Sequence, residues 1–524
     1  MVPNIGTMMS LHKLTADQAN TSAGYRMIAR HFTSRSANNS NRPGHAGHAA
    51  TGGPTSGRWL GSGLTALGLT VGDPVSQRQL QALFGHGLHP NADAVIDDLL
   101  TQYLARGEHP AAALRSAQLG AQLGRPYSKF TPRDDTYRNE TARAYVSWNV
   151  DQGRPPDAQI PEDERALIRA AVARRMFTDE AGRPPKDDRE LTQWVARALR
   201  TPPSKATAAY RLRCSPVKSV STFWALAPDL IRQQILAAQH AAIDDTLAYL
   251  ETHAVRTRGG TDGHRRIAVD GVIAVMSDHG DSWAGDPNLY TTVTISNKVH
   301  RIEGGWGALD GWPIHCHAVA ASEIFNTRLE HHLELRLGVV FAPRESTTDK
   351  RPVREIQGVD PRLNVLWSSR RTEVAAELAS AVHEFEITHQ RPPSPAEKKI
   401  LVARAADITR ASKPTPRSDT DSRIAWAAEA ARVLGSAEAV QTMVAAVLHQ
   451  PTPLRPTITD KWITEHAAVV AQNVTEAHTV VQPYHLRAEA ERHLRGTIAP
   501  QQWPDAVDRL IAVASAKLSA KTAD

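Results

Sequence analysis

The chain combines short strand-like segments with long helical segments, and this combination limits the fold more than any other feature. Residues 267–276 and 289–297 are short, rich in β-branched residues and bounded by Gly, Asp or Pro, which is typical of two strands in one sheet. Residues 231–250 carry apolar side chains at helical spacing, and residues 318–338 repeat that pattern. From about residue 364 the chain is rich in Ala, Arg and Glu, again at helical spacing. The sequence therefore predicts an α+β body followed by a helical C-terminal region.

Length and composition predict a folded chain with several domains. At ~150 residues per domain, 524 residues correspond to roughly two to four domains. Hydrophobic residues make up 41% and charged residues 22%, which are the proportions of a globular chain rather than a disordered one. No apolar run approaches the ~20 residues that cross a bilayer, and the polar N-terminal segment lacks a signal-peptide core. We therefore expect a cytoplasmic protein without a membrane span.

The local distribution of charge says more about a binding partner than the net charge of +6 does. The stretch from Leu191 to Pro228 contains no acidic residue. It carries six basic ones: Arg197, Arg200, Lys205, Arg211, Arg213 and Lys218. Such a segment can follow a phosphate backbone, because each Lys or Arg that neutralises a phosphate releases counterions. The alternative is an ordinary solvated surface, so these six residues are candidate DNA-binding residues that need other support.

A second informative segment runs from His279 to Val299. Side chains alternate along a strand, so positions 290 and 292 point to one face while their neighbours point to the other. Position 279, at the end of the preceding strand, can face the same point. Histidines at these three positions would form a metal site open on one side, but the sequence has His279, Tyr290 and Thr292 there.

This spacing resembles the histidine triad of the TrwC/TraI-type (MobF class) relaxases of the HUH endonuclease superfamily. In that pattern ten residues separate the first histidine from a His-x-His pair, which Asp-Pro shortly precedes; Asp286-Pro287 stands at the corresponding place. Agreement with the actinobacterial branch extends over essentially the whole chain, at Ser10–Thr15, Gly57–Gly63, Leu83–Pro90, Ser215–Ser221, Ala308–Gly311, Arg354–Val359 and Ser368–Arg371. The resemblance implies an α+β fold with an antiparallel-sheet HUH relaxase core and surrounding helices.

The resemblance also implies a reaction. In this family a tyrosine near the N-terminus attacks a DNA phosphodiester, forms a 5′-phosphotyrosine link and carries the strand into a recipient cell. A divalent metal such as Mg²⁺ or Mn²⁺, held by three neutral imidazoles, polarises the scissile phosphate. An acidic residue near the Ser-Pro-Val-Lys motif orients the site or accepts the proton. Tyr25, within Ser22–Met27, matches the first nucleophile motif and is therefore the candidate catalytic nucleophile.

The sequence departs from the family pattern at the groups that perform this chemistry. Tyr290 and Thr292 replace the second and third histidines, and a phenol or a threonine hydroxyl is a poor ligand for a divalent ion. Arg211 replaces the aspartate, so a negative side chain becomes a permanently positive one. His48 and Ala49 stand at a second tyrosine pair, Met27 at another tyrosine and Trp283 at an arginine. We therefore expect no bound metal cofactor, with His279 as the only retained ligand.

Each candidate residue also has a structural interpretation. Tyr25 fits a packed aromatic side chain, and His279 fits a hydrogen-bonded histidine at a strand end. Lys218, in contrast, keeps a functional interpretation as a phosphate ligand, because binding a phosphate needs no metal. The segment His315–His317 suggests a metal site, but it lies where a helix is predicted to begin, and side chains at i and i+2 diverge on a helix.

The domain organisation follows from the same resemblance. We expect a relaxase-like (HUH) domain over residues 1–345 with a mobile loop at 36–57, then the C-terminal part of the relaxase region over 346–415. Residues 416–524 are expected to form the helical linker region that normally precedes a helicase domain. The 524 residues contain no Gly-x-x-x-x-Gly-Lys-Ser/Thr phosphate loop, so a separate helicase or coupling ATPase is the expected partner. Met8 matches the usual family start and competes with Met1 as the first residue.

The leading hypothesis is a relaxase-like DNA-binding protein of conjugative DNA transfer. Its partner would be single-stranded or hairpin DNA of a plasmid or mobile element, and metal-dependent nicking would be lost or impaired. One alternative is an active relaxase that uses Tyr25 with a rearranged site of His279, Tyr290 and Asp286 or Asp281. Others are a terminal or replication-associated protein linked to DNA through a different tyrosine, and a decayed fragment.

Overall fold

The computed structural model describes most of the chain, namely residues 9–15, 57–127, 137–155, 158, 160–199, 206–260, 265–282, 284–344, 353–409, 418–451 and 453–521. Several residues of the sequence analysis lie outside these ranges: Met8, Tyr25 with its motif 22–27, residues 36–56 of the predicted mobile loop at 36–57, Arg200, Lys205 and Trp283. The chain divides into two compact units, a main unit of residues 1–126 and 207–524 and an inserted unit of residues 127–206.

Most strands are short, and in the described ranges all of them lie in the main unit. They are β1 (Met9–Thr15), β2 (Arg58–Leu60), β3 (Thr207–Cys214), β4 (Thr257–Gly259), β5 (Arg265–Ile267), β6 (Ala274–Asp281), β7 (Pro287–Ser296), β8 (Lys298–His300), β9 (Trp306–Ala308), β10 (Phe341–Pro343) and β11 (Arg354–Ile356). Five of them form one antiparallel sheet with the order β1-β3-β7-β6-β2. The others form the two-stranded antiparallel sheets β4–β5, β8–β9 and β10–β11.

Helices account for most of the remaining structure. They are α1 (Gln77–Leu80), α2 (Ala92–Ala105), α3 (Pro110–Gly120), α4 (Tyr137–Asp151), α5 (Glu162–Ala181), α6 (Asp188–Ala198), α7 (Lys218–Leu226), α8 (Asp229–His253), α9 (Gly311–Leu337), α10 (Pro361–Leu366), α11 (Ser369–His389), α12 (Pro395–Ile408), α13 (Asp419–Leu434), α14 (Ala437–Leu448), α15 (Asp460–Ala477), α16 (Pro483–Leu494) and α17 (Trp503–Lys521). Within the described ranges no single helix has both the length and the apolar composition to cross a membrane, and only the bent pair α13 and α14 passes that test jointly.

The α+β class predicted from the sequence is confirmed by this arrangement. The predicted helices at 231–250 and 318–338 are confirmed as parts of α8 and α9. The predicted strand at 289–297 corresponds to β7, but the prediction of one strand over 267–276 is wrong, because the chain leaves β5 at Ile267 and enters β6 only at Ala274. Gly271 lies between them with φ of 127°, and a Cβ there would approach Ser62 Oγ to 1.8 Å. Only glycine adopts this backbone conformation without strain.

One face of the five-stranded sheet packs against α8 and α9. On β3 and β7 this face carries Leu212, Val293 and Ile295, which are buried in one cluster with Ile243 of α8 and Phe325 of α9. Burial of each such side chain stabilises the fold by roughly 1.5–3 kcal/mol. Because side chains alternate along a strand, this packing fixes which residues of β3 and β7 point to the opposite face.

The last three helices have a core of their own and also pack against α9. Val470, Leu486 and Leu510 are buried in a cluster formed by α15, α16 and α17. Glu323 of α9 forms buried ion pairs with Arg492 and Arg495 at the end of α16. The C-terminal helices are therefore tied to α9 by charge pairing, while their apolar side chains form a separate cluster.

The inserted unit contains α4, α5 and α6. Tyr137, Phe177 and Trp194 form its small core, with Tyr137 and Phe177 both edge-on to the Trp194 ring. The carboxylate of Asp187 caps α6 by accepting a hydrogen bond from the backbone N–H of Glu190. Three helices around so few aromatic residues make a small unit with limited apolar burial.

Candidate functional site

The predicted metal positions lie on the face of the sheet that points away from α8 and α9. We call this the polar face; it consists of Ser10, His12, Arg211, Arg213, Ser277, His279, Tyr290, Thr292 and Thr294. The strand register places His279 directly opposite Tyr290, and Ser277 directly opposite Thr292. Directly opposed residues of antiparallel strands point the same way. Positions 279, 290 and 292 therefore share one face.

The aromatic ring of Tyr290 is stacked on the imidazole of His279. Their ring centroids are 4.4 Å apart and the planes are inclined by 26°. The guanidinium carbon of Arg213 lies 3.9 Å from the centroid of the same tyrosine ring. Because β7 lies between β3 and β6 in the sheet, Tyr290 separates Arg213 from His279. Contact between a guanidinium and an aromatic face is attractive, by about 0.5–2 kcal/mol.

Positive charge dominates the polar face. Arg211 is two residues from Arg213 on β3 and stands opposite His12 on β1 and Thr294 on β7. In the described ranges neither arginine forms an ion pair with a carboxylate. Burial lowers the pKa of Arg211, and the positive charge of Arg213 lowers that pKa further, whereas Tyr290 acts to raise it. Burial and then both arginines lower the pKa of His12, so its imidazole is neutral at neutral pH.

The phenol of Tyr290 is held in its protonated form. Burial raises its pKa, and the nearby positive charge of Arg213 opposes that effect only in part. Asp281, at the exposed end of β6, raises the pKa further. At neutral pH the side chain is therefore a neutral phenol rather than an anionic metal ligand.

The residues of the polar face do not fit the divalent ion that the resemblance implies. The part of the chain that the structure describes contains no group of three or more His, Cys, Asp or Glu side chains able to hold a metal ion. On this face the positions expected to hold the second and third imidazoles carry a neutral phenol and a threonine hydroxyl, both weak ligands for a divalent ion. Two guanidinium groups on the same face would in addition repel a cation.

Lys218 lies at the start of α7 and contacts the end of β7 rather than the polar face. Its ammonium group donates a hydrogen bond of 2.6 Å to the carbonyl oxygen of Pro287. Burial lowers its pKa to about 8, while Asp286 and Glu355 act in the opposite direction. The Asp286 carboxylate in turn accepts hydrogen bonds from the backbone N–H and the hydroxyl of Ser369. These contacts hold the β6–β7 turn in place.

The other sequence candidates are spread over the chain. Arg197 lies on α6 in the inserted unit, 3.6 Å from Glu180, with both side chains more than half exposed. His315 lies edge-on to Tyr210, whereas the Nδ1 atom of His317 is 2.8 Å from the hydroxyl of Tyr249. The two histidines thus face different neighbours and do not converge on one point.

Sequence reasoning missed the contribution of β1 to this face. Ser10 stands opposite Arg213 and His12 stands opposite Arg211. Alternation along Ser10–Thr15 would have placed Ser10 and His12 on one face. Only the pairing of β1 with β3, two segments far apart in sequence, shows that this face is the one with the arginines.

The chain matches the family model described as TrwC relaxase over residues 27–433. No curated protein sequence matches it.

The chain is also similar to solved structures of the conjugative relaxase TrwC. A copper-bound complex with OriT DNA has 17% identity and a TM-score of 0.46, covering 82% of this chain and 99% of that chain. A metal-bound complex with OriT DNA has 17% identity and a TM-score of 0.46, covering 81% and 98%. A complex with a 27-mer DNA comprising the recognition hairpin and the cleavage site has 16% identity and a TM-score of 0.45, covering 82% and 99%.

Proposed function

This chain belongs to the TrwC relaxase family, and we propose on that basis that it binds DNA without cutting it by a metal-dependent reaction. The DNA is single-stranded or hairpin DNA of a plasmid or another mobile element, bound in the cytoplasm during conjugative transfer. In this proposal the protein keeps the binding function of its family and has lost the nicking step.

The observation that carries this proposal is the stacking of Tyr290 between His279 and Arg213. A catalytic metal in this family needs three imidazoles that converge on an open coordination position. In this chain a neutral phenol fills the space beside the one remaining imidazole, and a guanidinium lies on the other side of the ring. The Tyr290 ring thus lies on one face of the His279 imidazole, and neither position 290 nor position 292 carries a second imidazole to complete a coordination shell.

Support for DNA as the partner comes from the charge of the polar face. Arg211 and Arg213 project from the same face of β3, and the hydroxyls of Thr292 and Thr294 lie opposite them on β7. Guanidinium groups bind phosphate oxygens through charge-assisted hydrogen bonds, which do not depend on DNA sequence. A negatively charged backbone therefore suits this face better than a cation does.

We further propose that a helicase or coupling ATPase supplies strand separation. The residues that match the family model contain no phosphate loop, and neither does the rest of the chain. In this proposal residues 1–345 and 346–415 are the DNA-binding relaxase region, and residues 416–524 form the helical region through which a helicase or coupling ATPase is positioned.

A paired binding and cleavage assay tests the proposed function. Fluorescently labelled origin oligonucleotides, both single-stranded and hairpin, are titrated with the protein in EDTA, in Mg²⁺ and in Mn²⁺. We expect the same affinity in all three buffers and no covalent protein–DNA adduct on a denaturing gel. An adduct that needs Mg²⁺ or Mn²⁺ and disappears in Tyr25→Phe would instead establish an active relaxase. An adduct that persists in Tyr25→Phe would indicate a tyrosine elsewhere in the chain.

A further inference from the structure

The two arginines of the polar face form a like-charge pair in a partly desolvated place. Arg213 is exposed and Arg211 is half-buried, and both project from the same side of β3. Burial and the charge of Arg213 both act to lower the pKa of Arg211. Removing a charge from water without a counter-charge is costly. An anion bound between the two guanidinium groups would offset both the desolvation and the repulsion.

Compensating carboxylates are absent from the described part of this face. The groups that act on Arg211 are Tyr290 and Arg213, and those that act on His12 are Arg211 and Arg213. Asp281 acts on Tyr290, but it forms no ion pair with either arginine among the described residues. Most other half-buried arginines of the main unit, such as Arg354 with Glu330, do have a carboxylate partner. Arg211 thus differs from most half-buried arginines of the main unit in having no carboxylate partner among the described residues.

A buried hydroxyl on the same face independently indicates a ligand. Ser277 is 8% exposed, and its Oγ has no hydrogen-bond partner among the described residues. It stands directly opposite Thr292, which in turn stands directly opposite Arg213. Buried hydroxyl groups are normally hydrogen-bonded. An oxygen-rich anion held by the arginines would supply the acceptor that Ser277 lacks.

The Tyr290 ring orients the guanidinium group of Arg213. A guanidinium that lies on an aromatic face has its planar fork fixed in direction, and this fork matches two oxygens of a phosphate. The contact of 3.9 Å between Arg213 and Tyr290 provides that support. Two guanidinium groups also carry the same formal charge as one divalent cation, so the electrostatic demand of a phosphodiester can be met without a metal.

We infer that Arg211 and Arg213, with the hydroxyls of Ser277 and Thr292, form a phosphate-binding site at the position that the metal occupies in the family. The site takes one phosphodiester of the bound strand and holds it uncleaved. This inference rests on the proposed function, since the phosphodiester is that of the proposed DNA partner. No bond is made or broken in it, because guanidinium groups stabilise the phosphate but activate no nucleophile.

The first experiment locates the phosphate. A single-stranded origin oligonucleotide carries one neutral methylphosphonate, moved stepwise along the strand, and affinity is measured in EDTA. For the unmodified protein we expect one position in the strand at which the methylphosphonate weakens binding roughly tenfold. This factor corresponds to the loss of one charge-assisted hydrogen bond. In Arg211→Gln/Arg213→Gln the intact strand binds correspondingly more weakly, and the same methylphosphonate has no further effect. Arg432→Gln, which removes an exposed charge on α13, is the matched control and retains the full methylphosphonate effect.

The second experiment separates binding from folding. Inorganic phosphate should raise the melting temperature of the unmodified protein above its value in chloride of equal ionic strength, and the double variant should lose this difference. Without phosphate the double variant should melt close to the temperature of the unmodified protein, because it loses both the repulsion between the arginines and the attractive contact of Arg213 with Tyr290. A double variant that keeps the DNA affinity and the methylphosphonate effect would overturn the inference, as would stabilisation by free phosphate without any effect on DNA. If the unmodified protein binds no DNA, the proposed function fails, and the phosphate arm still decides whether the anion site exists.

Discussion

The guanidinium carbon of Arg213 lies 3.9 Å from the centre of the Tyr290 ring, on the face of the sheet where a histidine at position 290 would serve as a metal ligand. This contact depends on the tyrosine at position 290, where the family pattern has a histidine. A histidine at position 290 would keep a ring but would attract a cation, and Arg213 would then compete with that cation. In the proposed function, the contact between Arg213 and Tyr290 stands at the place of the metal centre.

Restoring the lost groups should restore metal binding. Tyr290→His and Thr292→His place two imidazoles on the face that carries His279, and Arg211→Asp replaces one repelling charge by an acid. Each single change should bind Mn²⁺ no better than the unmodified protein, because one or two ligands hold a divalent ion weakly. Calorimetry on the triple variant should show a specific Mn²⁺ site.

The triple variant also tests the nucleophile. If Tyr25 is correctly placed, the metal-loaded triple variant should form a covalent adduct with single-stranded DNA that is lost on adding Tyr25→Phe. Mn²⁺ binding without an adduct would mean that the nucleophile or DNA cleft has also changed. Absence of Mn²⁺ binding would show that positions 279, 290 and 292 do not converge closely enough to share an ion.

DNA affinity should depend steeply on salt, and part of that dependence should come from the polar face. If all six basic residues of the 191–228 stretch contact phosphates, the slope of log affinity against log salt is about −4 on a single strand. Removing Arg211 and Arg213 together should reduce the magnitude of the slope by about 1.4. Fluorescence anisotropy over a salt series measures both values. An unchanged slope in the double variant would assign the phosphate contacts to other residues.

Stability should depend strongly on Glu323. Burial acts to raise the pKa of this carboxyl, but Arg495 and Arg492 outweigh it and hold the pKa below its ordinary value. Glu323→Gln leaves two arginines without their shared buried partner, which should lower the free energy of unfolding by about 3 kcal/mol. Urea denaturation measures the change. Glu465→Gln removes an exposed carboxylate 3.9 Å from Lys461 and should cost under about 1 kcal/mol.

Acid should destabilise the fold through His331. Its pKa is lowered to about 3, first by burial and then by neighbouring positive groups. The folded state therefore excludes a proton that the unfolded state binds below its ordinary pKa of about 6.5. The contribution of the neutral His331 to the free energy of unfolding is complete above a pH equal to that unfolded-state pKa. It is lost as the pH falls toward the pKa of the folded state. His331 should contribute a loss of about 1.4 kcal/mol per pH unit within this window.

The variant His331→Leu isolates this contribution. Urea denaturation at several pH values between neutrality and about pH 4 should show a shallower pH dependence for His331→Leu than for the unmodified protein. His383→Leu, at an exposed position of α11, should leave the slope unchanged. Equal slopes for His331→Leu and the unmodified protein would mean that other groups control the acid response.

Local patterns predicted the elements on which the candidate site rests. Alternation along residues 289–297 placed positions 290 and 292 on one face, and helical spacing at 231–250 and 318–338 identified the two helices that cover the opposite face. The break at Gly271 was not predicted, because its β-branched neighbours suit a strand, whereas its positive φ reflects a close approach to Ser62 that local sequence does not encode.

The sequence by itself determined the α+β class and the family resemblance, since both depend on residue identity and short-range spacing. Only the tertiary structure decided which basic residues act together. Arg211 and Arg213 share a face with His12, whereas Lys218 is bound to Pro287 and Arg197 belongs to the inserted unit. Strand pairing between distant segments sets these neighbours, and its register depends on the burial of a whole sheet face rather than on any local pattern.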